Sequence, residues 1–124
     1  MILKAGFLAL LLFLAACAGG PKPTAVVSPG GQPVQMMVEN FKFGPSVIQT
    51  SPGQLALRIE NVSGETHNIT IKDPDGKTLA SSDLPPKSTT NVNVRLDRAG
   101  TYPFHCDKTG HSTLGMKGRI EVRS

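Results

Sequence analysis

An all-β sandwich of seven or eight strands is what this sequence predicts over residues 34–124, and three observations carry the expectation. Runs rich in β-branched residues recur at short intervals, several alternating apolar with polar side chains as a strand with one buried face must. Turn signals built on Gly and Pro separate these runs. No stretch has the apolar spacing of a long helix.

Ahead of that domain, residues 1–16 read as a secretion signal. Lys4 is the only charge before the apolar run Phe7 to Leu14, which is too short to cross a bilayer as a stable helix. The run closes in Leu14-Ala15-Ala16-Cys17, a sequence that resembles a bacterial lipobox. In such a motif the cysteine is acylated and becomes the new N-terminus. Each buried methylene of an acyl chain contributes about 0.8 kcal/mol, so two or more chains on Cys17 would anchor the protein durably to a membrane. Residues 17–33, rich in Gly and Pro, read as a flexible linker between the lipidated cysteine and the folded domain. Together these features place the domain on the exported side, periplasmic or at the cell surface, and on the outer membrane if the cell is Gram-negative.

Within residues 34–124 the runs are taken in order. Val34-Gln-Met-Met-Val-Glu-Asn40, Ser46-Val-Ile-Gln-Thr50 and Leu55-Ala-Leu-Arg-Ile-Glu60 are the first three, with Pro52-Gly53 as the turn before the third. His67-Asn-Ile-Thr-Ile-Lys72 follows and ends at the turn Asp73-Pro-Asp-Gly76. Thr90-Asn-Val-Asn-Val-Arg-Leu96 and Gly118-Arg-Ile-Glu-Val122 alternate cleanly. Between them, Asp97-Arg-Ala-Gly-Thr-Tyr102 resembles a tyrosine corner, in which the phenol bonds to backbone a few residues upstream. Strand alternation sends Tyr102, Phe104 and Cys106 to one inner face and His105 to the other, so His105 is a poor candidate ligand. A domain of this size buries about two-thirds of its unfolded surface, enough for one core.

Charge excludes one class of function. Of the 13 Lys/Arg, Lys4 and Lys22 precede the domain, leaving 11 against 9 Asp/Glu. These are scattered, not clustered, and nucleic-acid binding has no support. The two cysteines do not form a natural disulfide, because Cys17 is assigned to lipid and Cys106 lies among other donors.

The chemistry collects in Tyr102 to Met116. Cys106, His111 and Met116 are spaced C-x4-H-x4-M, with Gly110 and Gly115 directly before the second and third donors. Two imidazoles and a thiolate with a long axial thioether make a blue-copper site, and the second imidazole is available at His67. Singly, each residue has an ordinary structural role: a surface histidine, a core methionine, a small buried thiol. Their order and spacing together point to a metal.

The loop resembles the copper-binding loop of the plastocyanin/azurin (cupredoxin) family, with the spacing of auracyanin-like bacterial members. The likeness runs from about Val34 to Val122. Asn61-Val-Ser-Gly-Glu-Thr-His67-Asn68-Ile69 resembles the segment that carries the first histidine, and Phe41-Lys-Phe43-Gly-Pro45 resembles the family's F-x-F-x-P opening. Two departures are visible: the plastocyanin loop is shorter between Cys and His, and the residue before Cys is aromatic there but His105 here.

The resemblance implies a Greek-key topology and one copper ion cycling between Cu(II) and Cu(I) on His67, Cys106, His111 and Met116. It implies that Asn68 ties its strand to the cysteine loop, with its amide and nearby N–H groups available to the thiolate. It also implies a partner surface around His111 formed by Leu114, Gly115 and Phe41, with Phe43 pointing into the core. All four metal positions are filled by protein, and no nucleophile-base pair or acid-base pair is arranged for turnover, so the expectation is an electron carrier and not an enzyme. The carrier would be a monomer working with other extracytoplasmic redox proteins. Two alternatives are a copper delivery or storage protein, although Met36 and Met37 sit away from the loop, and a cupredoxin subunit of a larger redox complex. A two-copper centre would need a second cysteine in the loop, and a thioether is a poor ligand for zinc.

Overall fold

The computed structural model describes residues 24–124, so the signal segment 1–16 and Cys17 lie outside the described residues. Ten strands form: β1 (Thr24–Val26), β2 (Val34–Glu39), β3 (Lys42–Gly44), β4 (Val47–Thr50), β5 (Gly53–Asn61), β6 (His67–Lys72), β7 (Thr78–Leu84), β8 (Ser88–Leu96), β9 (Gly100–His105) and β10 (Lys117–Val122). One sheet has the order β1-β4-β10-β9-β6-β7 and the other β3-β2-β5-β8. The chain changes sheet at every link except β2–β3, β6–β7 and β9–β10. An all-β sandwich of two sheets is therefore the fold, with no helix among the described residues.

Alternation sets the layers. β2 is buried at every other residue from Val34, and β8 at Val92, Val94 and Leu96, so both turn an apolar face inward and a polar face to water. β6 is different: His67 to Ile71 are all buried, because the strand lies between β9 and β7 and its outer face is covered too. Tyr102 and Phe104 of β9 enter the core, with the Phe104 ring edge-on to Phe43 at 5.3 Å between centroids. Opposite them Gly118 leaves no room for a side chain, since a Cβ there would lie 2.4 Å from the Phe104 ring and 2.3 Å from the Ser46 carbonyl oxygen. An added methyl would force β10 away from both neighbours at the point where the strand leaves the donor loop.

The tyrosine corner forms as the sequence predicts. The Tyr102 hydroxyl donates to the Arg98 carbonyl at 2.7 Å and accepts from the Arg98 N–H at 3.3 Å, which fixes the crossover from β8 into β9. The Asp73–Gly76 turn also forms, with the Asp73 carboxylate accepting from the N–H groups of Asp75 and Lys77, each at 2.9 Å.

Three strands lie where the sequence reading placed none, which takes the count from seven or eight to ten. β1 falls inside the expected linker 17–33: Thr24–Val26 pair parallel with Val47–Gln49, and the Val27 N–H continues the ladder to the Gln49 carbonyl at 2.9 Å. The edge of β4 needs a partner, and a short tripeptide with β-branched Thr24 and Val26 supplies one despite its Pro- and Gly-rich surroundings. β3 is a brief return strand on β2. β7 pairs along β6, with Thr78 as its first residue. Its Ser- and Asp-bearing outer positions suit the edge of a sheet and blur the strand signal.

Candidate metal centre

The Cys106-to-Met116 loop is closed at its base by backbone. The Cys106 N–H donates to the Met116 carbonyl at 3.1 Å, and the Met116 N–H donates to the His111 carbonyl at 3.0 Å. The tight return this requires falls on Gly110 and Gly115, whose φ values of +80° and +101° lie where side chains are disfavoured. His67 reaches the loop from the first residue of β6.

The donor atoms converge. His67 Nδ1 lies 3.1 Å from His111 Nδ1, and Cys106 Sγ lies 3.6 Å from His111 Nδ1. Among the described residues these three form one group whose ligand atoms all lie within 4.8 Å of one another. Cys106, His67 and Met116 are buried, at 1%, 0% and 0% exposure. His111 keeps an outer edge, with its Nε2 facing Glu65 Oε2 at 4.0 Å.

The far side of His67 settles its tautomer. Its Nε2 lies 3.1 Å from Ser63 Oγ and 3.3 Å from Asn40 Oδ1. The Ser63 hydroxyl donates to Asn61 Oδ1 at 2.7 Å, so its oxygen faces His67 as an acceptor, as does the Asn40 carbonyl oxygen. Nε2 therefore carries the proton and Nδ1 presents a lone pair to the site. Burial, reinforced by nearby His111 and opposed by Glu65, holds the His67 imidazole below its ordinary pKa. Its neutral form is the one a metal needs.

Sequence reading singled out the segment that carries His67 but gave no role to Asn61 and Ser63, which aim it. Asn61 is buried at the end of β5; its amide donates to the carbonyls of Glu65 at 2.8 Å and Leu84 at 2.9 Å, and its oxygen accepts from the Ser63 N–H at 3.0 Å. A polar Asn closing an apolar strand was the available signal, but its partners depend on strand register. Asn68 ties β6 to the cysteine loop, as the resemblance implied, by accepting the Asp107 N–H at 2.6 Å. Its amide goes to Asp107 Oδ2 at 3.3 Å and not to the thiolate, because the neighbouring carboxylate is the stronger acceptor.

Away from Glu65, apolar residues flank His111. Phe41 sits edge-on to the imidazole at 4.9 Å between centroids, held there by a left-handed backbone at φ 64°. Leu114 is 62% exposed and Gly115 beside it is exposed. Phe43 is in the core, and His105 points outward to Asp107 at 2.5 Å.

Two imidazole nitrogens and one buried thiol, with a buried thioether closing the same loop, form a soft donor set of the kind that holds a type 1 copper. The chain matches the family model described as a cupredoxin-like domain over residues 5–122 and belongs to that family. It is 30% identical over 88 residues to plastocyanin from Vicia faba, covering 64% of this chain and 86% of that one. Identity to the chloroplastic plastocyanin of Pisum sativum is also 30% over 88 residues, and the match spans about half (51%) of that protein's length. Auracyanin from Roseiflexus castenholzii superposes with a TM-score of 0.65 at 18% identity over 85% of this chain and 100% of that one. Auracyanin B gives 0.67 at 21% identity over 77% and 91%. His67, Cys106, His111 and Met116 are arranged as a site for one copper ion.

Proposed function

We propose that this protein carries single electrons between exported redox partners while lipid-anchored through Cys17. The observation that carries the proposal is the closed donor set, in which the thiol and both Nδ1 atoms converge. Copper bound there supplies a one-electron couple. The chain's part is to hold the ligands still. Ser63 and Asn40 fix the His67 ring, and the Cys106–Met116 backbone pair fixes the loop ends, so a change of charge requires little movement of protein. With the four donors spent on the metal, no open position is left for a substrate, which supports a carrier and not an enzyme.

Electrons would leave through the edge of His111. The rim of Phe41, Leu114 and Gly115 carries no charge, and a small apolar patch suits a weak, fast-dissociating partner. Electron self-exchange between oxidised and reduced copies, read from NMR line broadening, tests this without a known partner. Leu114→Lys sets like charges against each other in the encounter and is expected to slow self-exchange about tenfold, with spectrum and potential nearly unchanged. Thr78→Lys, exposed on β7, should do little. A wild-type rate for Leu114→Lys would move the exit to another face and make His105 the next position to test.

The anchor rests on Leu14-Ala15-Ala16-Cys17. Cys17→Ser is expected to release the protein from the membrane fraction and to block labelling by fatty acid. Retention of both membrane association and label in that variant would exclude Cys17 as the lipid site.

A further inference from the structure

The ladder between β6 and β9 is short. Its paired residues are Ile71 with Phe104 and Thr70 with His105, the last residue of β9, so the ligands His67 and Cys106 both lie past it. Backbone holds each end to another neighbour, His67 to Leu84 of β7 and Cys106 to Met116, but the β6–β9 ladder does not tie the two ends to each other.

One residue bridges the gap. Asp107 Oδ2 accepts from the Thr70 hydroxyl at 2.5 Å and from the Asn68 amide at 3.3 Å, while Oδ1 meets His105 Nε2 at 2.5 Å. Its own N–H donates to Asn68 Oδ1 at 2.6 Å. Thr70 is in turn 3.1 Å from the Ser81 hydroxyl, which extends the connection to β7. A serine or threonine after the cysteine could keep the backbone bond to Asn68 but could not engage Thr70, Asn68 and His105 together.

We propose that Asp107 is a positioning residue of the copper centre: its carboxylate locks the Cys106 end of β9 to β6, and its charge, one residue from the thiolate, favours the oxidised metal. A fixed negative charge stabilises the more positive of two metal charge states. The inference depends on the copper centre and not on the carrier role.

Three variants separate lock from charge. Asp107→Asn keeps the shape and removes the charge, Asp107→Ala removes both, and Thr70→Val removes one tie while leaving the charge. In the metal-free protein, hydrogen exchange at the amides of residues 68 and 107 is expected to quicken tenfold or more in Asp107→Ala and severalfold in Thr70→Val, with the core strands β5 and β8 unchanged. In the loaded protein, Cu(II) affinity in Asp107→Ala is expected to fall about tenfold or more. Asp107→Asn should raise the midpoint potential without moving the visible band, and Thr70→Val should leave the potential near wild type. Wild-type exchange in Thr70→Val and Asp107→Ala would overturn the lock, and so would exchange that quickens equally over every strand. A wild-type potential in Asp107→Asn would overturn the charge effect. Should Asp107→Ala fail to fold, the other two variants still decide both halves.

Discussion

Cys106→Ala is expected to yield a folded chain with no intense visible absorption on exposure to Cu(II). The thiolate is the donor whose charge transfer to copper produces that band, and no second thiol lies within the described residues to replace it. Removing one sulfur from the buried Cys106 site leaves the two Nδ1 atoms 3.1 Å apart, so a colourless or weakly coloured metal can still bind the histidines with much reduced affinity. Circular dichroism of the metal-free variant checks that the sandwich survives, and a copper titration followed by absorption reads the loss. Persistence of the intense band in Cys106→Ala would remove the thiolate from the site.

Met116→Leu is expected to retain copper and raise the potential, and Met116→Gln to lower it. A long axial thioether bonds weakly and acts mainly through the electronic surroundings of the metal. Leucine makes that side of the buried site wholly apolar, which disfavours the more charged Cu(II), while the harder amide oxygen of glutamine favours it. A shift of about 59 mV in either direction corresponds to a tenfold change in the relative binding of the two oxidation states. Protein-film voltammetry measures both variants. Loss of copper altogether in Met116→Leu would make the thioether a primary ligand and favour copper handling over electron transfer.

The parts of this site that sequence made legible are those whose neighbours are close along the chain. Cys106, His111 and Met116 share one loop, and Gly110 and Gly115 announce its tight return, so spacing alone constrains them. His67 could be named because it is the histidine that remains once His111 is placed in the loop and His105 is sent outward by the alternation of β9. What holds His67 was hidden. Asn40, Asn61 and Ser63 act through bonds among the turn after β2, the ends of β5 and β7, β6 and the loop before it, and which side chain meets which is decided by sheet register. Asp107 carried no signal in the sequence for the same reason, since Thr70 approaches it from 37 residues away. Among the strands, β2, β5 and β8 were legible through alternation against a half-exposed sheet. β7 was not, because Ser81, Ser82 and Asp83 on a sheet edge give the composition of a loop. β1 was obscured by the Pro and Gly around it, and its place was fixed by the open edge of β4.

The central claim is that four residues of this chain hold one copper ion through a thiolate. A Cu(II) titration of the metal-free protein, followed by visible absorption, tests it most directly. The account predicts an intense band that grows with added copper, saturates at one ion per chain and bleaches reversibly on reduction. A protein that stays colourless under oxidising conditions, or whose band saturates at two ions per chain, would contradict it.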